Sequence, residues 1–472
     1  MRNLTLLTDL YEMTMMYGYS KDNHKDKIAI FDVFYRGVGN NYAIACGLEQ
    51  VVEYIKNLHF DSEDIEYLRT LKVFDEYFLE LLKDFKFTGD MYACPEGTVV
   101  FPHEPIITIV APLFEAQFVE TAILCILNHQ TLIATKASHI VYNAEGLVLS
   151  EQGLRRAQGP DAGIYGTRAS YIAGFDSSSN VLAGKMFGIP IAGTMAHSYI
   201  MSYDSELEAF RKFSEIYPDN CILLVDTIDT LKSGVPNAIT VFHELKAKGH
   251  KPLAIRIDSG DLAYLSIKAR EMLDNAGLEE VKIVVSGDID EYIIRSLKSQ
   301  GAKIDILGIG TKLITSEDCP SLGGVYKLAG IYNENGELEY KIKKSNTIEK
   351  VTNPGFKKIV RFYDKQSNKA IADLICLKHE DYSNLSRVEI FDPKETWKKM
   401  TLTNFYTEEL MVKVFESGKL IYKLPSINEI RKNTKASLSK IWDEYKRDIN
   451  PHIYKVDLSK ELYDIKMKLL NR

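Results

Sequence analysis

Leu253-Ala254-Ile255-Arg256-Ile257-Asp258-Ser259-Gly260-Asp261 opens the stretch whose reading decides the fold. A short apolar run ends in an arginine and two aspartates. A helical pattern follows over 261–276, and then Val281-Lys282-Ile283-Val284-Val285-Ser286-Gly287-Asp288 repeats the same design. Short Ile- and Val-rich runs separated by helical stretches are the mark of parallel strands joined by crossover helices.

Working outward, the alternation extends from about 147 to 331. The expected strands are Leu147–Gln152, Ile189–Gly193, Ile222–Asp226, Leu253–Asp258, Val281–Ser286, Ile304–Gly308 and Gly324–Gly330, with helices over 205–215, 234–248 and 261–276. Most of these strands end in glycine or reactive side chains, as in Gln152-Gly153-Leu154-Arg155-Arg156, Gly193-Thr194-Met195-Ala196-His197, Asp226-Thr227 and Gly308-Ile309-Gly310-Thr311-Lys312. A closed barrel gathers all strand C-termini at one mouth, whereas an open sheet gathers only those near its switch point. Six contributing strands favour an irregular, incomplete α/β barrel.

The flanks have a different texture. Residues 1–112 mix helices with strands such as Ile28–Phe34 and the short, Pro- and Gly-broken pieces of Gly89–Pro112. Residues 113–146 read as one or two long helices. Past 331, Asn335-Gly336 marks a hairpin turn, Lys358–Tyr363 and Ala372–Leu377 read as strands, and 425–472 as helical. The expected domains are 1–112, an α+β domain; 113–331, the barrel; and 332–472, an α+β region that rejoins the first domain.

Composition narrows the function. With 472 residues the chain suits roughly two to three domains and needs no staples to bury a core. A formal net charge of -7 argues against a nucleic-acid partner. The six cysteines form no C-x-x-C pair, which fits free thiols in a reducing compartment. Asp9 and Glu12 interrupt any N-terminal signal core, and no run of about 18 apolar residues suggests a membrane span. The expected location is the cytoplasm.

Several constellations suit chemistry. Arg256 and Asp258, two apart on a strand, point to one side. An arginine beside carboxylates suits a ligand carrying a negative group with hydroxyls or a divalent metal. A structural ion pair, with Asp261 capping the next helix, uses the same residues. Gly308, Gly310 and Thr311 can bring backbone N–H groups and a hydroxyl to a phosphate, or simply form a tight turn. Of the adjacent Arg155 and Arg156, one is expected to enter the mouth. His197 is a lone histidine on a mouth loop, and Asp226, ending the next strand, can hold one ring nitrogen and fix the tautomer. Tyr11 reads by periodicity as part of an amphipathic first helix.

Taken together, Thr8-Asp9-Leu10-Tyr11, the run Gly153-Leu154-Arg155-Arg156-Ala157-Gln158-Gly159-Pro160-Asp161, the segment Gly174–Gly184, Gly193-Thr194-Met195-Ala196-His197-Ser198, Arg256–Asp261 and Gly308–Thr311 resemble the nicotinate phosphoribosyltransferase family over nearly the whole chain. The resemblance implies a type II phosphoribosyltransferase fold in a homodimer with shared active sites. It implies synthesis of nicotinate mononucleotide from nicotinate and phosphoribosyl pyrophosphate in NAD salvage, with ATP and Mg2+ as cofactors and the metal held mainly by pyrophosphate.

The same resemblance puts Tyr11 on the pyridine ring from the neighbouring subunit, and Arg155 and Thr194 near nicotinate. It puts Arg256 between ring and sugar, Asp258 on the ribose hydroxyls, and Gly287, Asp288, Gly310 and Thr311 around the 5-phosphate. Asn180 and Gly308 are counted with the substrate-binding residues, Asp226 with the catalytic ones. His197 is implied as a phosphohistidine. Gln152 departs from the family pattern, which has an aromatic there. The alternatives are a nicotinamide-specific relative and a catalytically silent barrel that binds phosphorylated nucleotides.

Overall fold

The computed structural model describes residues 3–22, 24–37, 42–347 and 350–472. The chain divides into two units, Met1–Leu132 with Ser321–Arg472, and Ile133–Pro320.

The first unit is built on antiparallel pairing. Its larger sheet has seven strands in the order Leu338–Tyr340, Gly324–Tyr332, Ile28–Tyr35, Ile107–Pro112, Asp90–Ala93, Val412–Glu416 and Lys419–Leu420. Strand Ile28–Tyr35 is buried along nearly its whole length because both its neighbours and the elements packed over it are apolar. A four-stranded sheet carries Phe405–Glu409, Lys357–Asp364, Ala370–Leu377 and Val456–Leu458. A buried ion pair crosses it: Arg361 donates to both carboxylate oxygens of Asp373, at 2.8 and 2.6 Å, and to the carbonyl of Val99 at 2.9 Å. The Tyr454 hydroxyl donates to the same aspartate, while its ring stacks on Phe101 at 3.8 Å. Segment 99–104 and the C-terminal strands thus share one core.

The second unit holds a parallel six-stranded sheet. Its order is Ser177–Ser178, Val148–Glu151, Ile306–Ile309, Lys282–Gly287, Ala254–Ile257 and Ile222–Leu224. Helices Pro160–Ala173, Val235–Ala247, Leu262–Asn275 and Glu291–Ser299 make the crossovers. Asp229, Asp261 and Asp290 accept backbone N–H bonds at the starts of the helical segments that follow them, so each turn after a strand is closed by its own aspartate.

Two expected strands behave differently. Gly324–Gly330 is a strand, but it pairs antiparallel with Ile28–Tyr35 in the first unit, so it is no part of the parallel sheet. An apolar run announces burial and not the sheet that receives it. Ile189–Gly193 makes only a single bridge, Ile191 to Ser178. Pro190 has no N–H to give a ladder. No strand pairing among the described residues joins the edge Ser177–Ser178 to the edge Ile222–Leu224, so the sheet does not close by hydrogen-bonded strands.

The helical expectations over 205–215, 234–248 and 261–276 correspond to Glu206–Ile216, Val235–Ala247 and Leu262–Asn275. The six cysteines are free thiols, and no helix among the described residues is long and apolar enough to cross a membrane.

Candidate active site

The C-terminal ends of the parallel strands carry the polar residues. On strand Ala254–Ile257, Arg256 donates from Nε to the Ser286 hydroxyl at 2.8 Å and from Nη2 to Asp258 Oδ1 at 2.8 Å. Ser286 donates to that same oxygen. Burial pushes the Asp258 carboxyl up, but the Ser286 hydroxyl, the Arg256 guanidinium and His197 outweigh it and hold the group below the usual carboxylate range. Asp258 is therefore a fixed anion, oriented by two donors.

Asp226 is tied to the neighbouring turn. Its Oδ2 accepts from the Asp258 N–H at 3.0 Å and the Ser259 hydroxyl at 2.6 Å. Its Oδ1 is buried with no hydrogen-bond partner and faces His197 Nε2 at 4.0 Å. Asp258 Oδ2 lies 3.8 Å from the same nitrogen. The other ring nitrogen, Nδ1, is 3.0 Å from the Thr227 hydroxyl. The hydrogen bond that orients the ring thus comes from Thr227 and not from Asp226, whose distance is too long for one. His197 opens the helix His197–Met201 and keeps 40% of its side chain in solvent, so it can meet a reactant.

Thr194, three residues earlier, donates its hydroxyl to the carbonyl of Ile222 at 2.7 Å. The segment that carries His197 is thereby fastened to the edge strand of the sheet.

Around Gly153–Arg156 the support is a buried network. Glu151, 1% exposed, accepts from the Gly153 N–H, from Thr167 at 2.9 Å and from Ser178 at 2.5 Å. Burial pushes its carboxyl up, and the three donors only partly offset this. Asn180 joins the network: it donates to Thr167 and to the Gly163 carbonyl, and caps the helix Val181–Phe187. It is 1% exposed, so its place is in the scaffold and not on an open wall. Arg155 and Arg156 project from the short turn Leu154–Arg156, both exposed.

Arg156 lines an open cavity of about 520 Å³ with Asp288, Asp290, Ile293, Thr311, Lys312 and Glu317. Gly287 precedes it with φ of 134°, a backbone state that a side chain would strain. Gly308 is required for a different reason: a Cβ there would stand 2.7 Å from the Gln152 amide oxygen, so Gln152 lies directly across it. No group of three or more His, Cys, Asp or Glu residues among those described is arranged to hold a metal ion.

Tyr11 belongs to the first unit, on helix Leu10–Lys21, with 46% of its surface exposed. Its hydroxyl lies 3.3 Å from Glu12, and burial, Glu120 and Glu12 all push its pKa up. Glu12 is fully buried and accepts from Thr8 and, at 2.9 and 2.8 Å, from the N–H and hydroxyl of Thr121.

The second unit therefore brings together His197, Asp226, Arg256 and Asp258, and separately Asp288, Thr311 and Arg156. Thr227, Ser259, Ser286 and Glu151 are residues that the sequence did not single out, and of the arginine pair expected at the mouth it is Arg156 that lines the cavity. Thr227 carried a signal, since it directly follows a strand-end aspartate.

Known proteins resemble this chain in both sequence and fold. Family models named nicotinate phosphoribosyltransferase N-terminal domain and C-terminal domain match residues 6–128 and 356–466. The chain is 45% identical to the nicotinate phosphoribosyltransferase of Bacillus subtilis over 471 residues, covering 99% of this chain and 96% of that one. It is 31% identical to the human nicotinate phosphoribosyltransferase, covering 97% and 95%. The crystal structure of human nicotinic acid phosphoribosyltransferase superposes with a TM-score of 0.86 at 29% identity, over 98% of this chain and all of that one. A nicotinate-nucleotide pyrophosphorylase from Pyrococcus furiosus shares the fold, with a TM-score of 0.70 at 22% identity. By near-full-length likeness in sequence and fold, the chain belongs to the nicotinate phosphoribosyltransferase family.

Proposed function

We propose that this enzyme joins nicotinate to phosphoribosyl pyrophosphate and couples the reaction to ATP through His197. The observation that carries the proposal is the grouping of His197, Asp226, Arg256 and Asp258 at the ends of adjacent strands, with the ring of His197 oriented and half open to solvent.

The pyridine nitrogen of nicotinate attacks the anomeric carbon. A C–N bond forms, the bond to the pyrophosphate oxygen breaks, and pyrophosphate leaves. Positive charge gathers on the sugar and negative charge on the leaving group, so fixed charges aimed at both lower the barrier. Asp258, held ionised, suits the ribose hydroxyls and the developing cation. Arg256, with Nε and Nη2 already committed, still offers donors on Nη1. Thr311, Lys312 and Arg156 in the cavity suit the phosphate end, and Asp288 and Gly287 are assigned there through their backbone, with Gly308 and Gly310 counted beside them. Arg155 and Thr194 are assigned to nicotinate. The nucleophile belongs to the substrate, so positioning is the main task of the protein.

Mg2+ enters with the pyrophosphate group. There it would be held mainly by substrate oxygens and would neutralise leaving-group charge. In the coupled step a ring nitrogen of His197 attacks the γ-phosphorus of ATP; the N–P bond forms as the bond to the β,γ-bridging oxygen breaks, ADP leaves, and the carboxylates of Asp226 and Asp258 stabilise the positive charge left on the ring. Water later cleaves the N–P bond and releases phosphate.

The irregular barrel is completed, in this account, by segment 191–194: Ile191 bridges Ser178 and Thr194 bonds Ile222, spanning the two open edges. Tyr11 acts on the pyridine ring from a neighbouring subunit of a homodimer. Its exposure, with Leu7, Leu10 and Met15 also exposed nearby in sequence, supports a covered position in the assembly.

The test is formation of mononucleotide from nicotinate or nicotinamide, each with and without ATP. Preference for nicotinate with stimulation by ATP is expected. Preference for nicotinamide overturns the substrate assignment, and no product with either base overturns the activity.

A further inference from the structure

Lys136 is a cation in the interior, on an otherwise largely apolar helix, Glu120–Asn143. Its side chain is 4% exposed, and its ammonium lies 2.8 Å from Glu291 Oε1 and 2.8 Å from Asp318 Oδ1. The two carboxylates come from different segments. Glu291 directly follows Asp290, and Asp318 directly follows Glu317. Asp290 and Glu317 both line the 520 Å³ cavity that also holds Asp288, Thr311 and Lys312.

We propose that Lys136 is a positioning residue for the sugar-phosphate cavity: it clamps the two wall segments, 288–291 and 316–318, at a fixed separation so that a phosphorylated sugar finds its donors already in place. The inference rests on the assignment of this cavity to phosphoribosyl pyrophosphate.

Three further features support the clamp. The backbone at Ser316 adopts a φ of 44°, in the left-handed region, although the residue is not glycine, and such a turn persists only where its surroundings enforce it. Lys136 holds the segment two residues later. Burial works against the charge on Lys136, but Glu291 and Asp318 outweigh it and keep the group charged. Finally, Glu291 Oε2 is buried and without a hydrogen-bond partner, so this carboxylate is kept in place by the ammonium and not by a broader network. A charge so poorly solvated at the back of a cavity wall fits a device that fixes geometry.

Asp318→Asn is the variant of choice. Its side chain is 46% exposed, so the neutral amide removes one arm of the clamp without leaving a charge stranded in the interior. The expected result is a rise of about tenfold or more in KM for phosphoribosyl pyrophosphate, with KM for nicotinate and the melting temperature nearly unchanged. Lys136→Arg, which keeps the charge, should lie between wild type and Asp318→Asn. A folded Asp318→Asn enzyme with wild-type KM for phosphoribosyl pyrophosphate overturns the clamp, as does an equal loss toward both substrates together with a lowered melting temperature. Wild-type protein that neither binds phosphoribosyl pyrophosphate nor makes mononucleotide removes the assignment of the cavity and the clamp with it. That failure is distinct, because it is seen before any substitution is made.

Discussion

The hydroxyl of Thr227 stands 3.0 Å from Nδ1 of His197, closer than either carboxylate that faces the opposite ring nitrogen. The pair fixes the plane of the imidazole and leaves Nε2 toward Asp226 and Asp258. Thr227→Val keeps the side-chain shape and removes the partner. Loss of one such hydrogen bond is worth about 0.5–1.5 kcal/mol, so ATP-dependent turnover should fall by roughly three- to tenfold. ATP-independent synthesis should be spared. The ratio of ADP to mononucleotide formed measures this directly, and an unchanged ratio means that Thr227 does not orient the ring.

Arg155 leaves the turn Leu154–Arg156 exposed and without an ion pair among the described residues, so its charge is available to an acid substrate. Arg155→Ala should lower kcat/KM for nicotinate by about tenfold or more, the cost of losing a charge-assisted contact. Arg155→Lys should recover only part of it, since a lysine lacks the planar fork. A normal specificity constant in Arg155→Ala would remove the assignment and point instead to Arg156, which lines the cavity.

Much of this site was legible before any coordinates. Buried parallel strands read as continuous Ile- and Val-rich runs, and their polar ends fall where the chain turns, which is why Arg256, Asp258, Asp226 and His197 stood out. The network of Glu151, Thr167, Ser178 and Asn180 did not, because its four members meet only after a strand, a helix and a second strand have been laid down. Asn180 stands among the substrate-binding residues only through the family resemblance, and its role as a buried helix cap depends on contacts that the sequence does not show. Lys136 did leave a trace, a single cation inside a long apolar helical run. Gly324–Tyr332 shows the converse limit: its composition suits either sheet, and only pairing with Ile28–Tyr35 decides between them.

Stability should carry a pH signature from Lys466. Burial, with Lys394 and Lys357 nearby, lowers its pKa from 10.5 to about 8, while its ammonium bonds Asn353 at 2.8 Å. The folded state thus holds this proton less tightly than the unfolded chain. Below about pH 8 both states are protonated and folding carries the full penalty. Between pH 8 and 10.5 the unfolded chain binds more protons, so this group's contribution to stability rises with pH. Lys466→Met should therefore stabilise the protein at pH 7 by about 1–2 kcal/mol, with the gain shrinking toward pH 10. Chemical denaturation across that range checks it, and a pH-independent difference would assign the effect to packing alone.

The proposal that Tyr11 acts from a neighbouring subunit predicts complementation. Tyr11→Ala and His197→Ala remove groups from different units of the chain, so a hybrid dimer that acts in trans contains one intact site. Mixing the two variants under conditions of proven subunit exchange should restore ATP-stimulated turnover, which neither shows alone, to up to about a quarter of the wild-type level per enzyme, the statistical share of such sites. Absence of recovery, or a fully active monomer, would place Tyr11 outside the neighbouring site.

The most direct measurement follows ADP and nicotinate mononucleotide together in wild type and His197→Ala, with nicotinate, phosphoribosyl pyrophosphate and ATP present. Wild type should release ADP in step with product and carry an acid-labile phosphate by intact mass. His197→Ala should release no ADP and bear no phosphate, yet keep slow, ATP-independent synthesis. A His197→Ala enzyme that still hydrolyses ATP in step with mononucleotide formation would contradict coupling through this histidine.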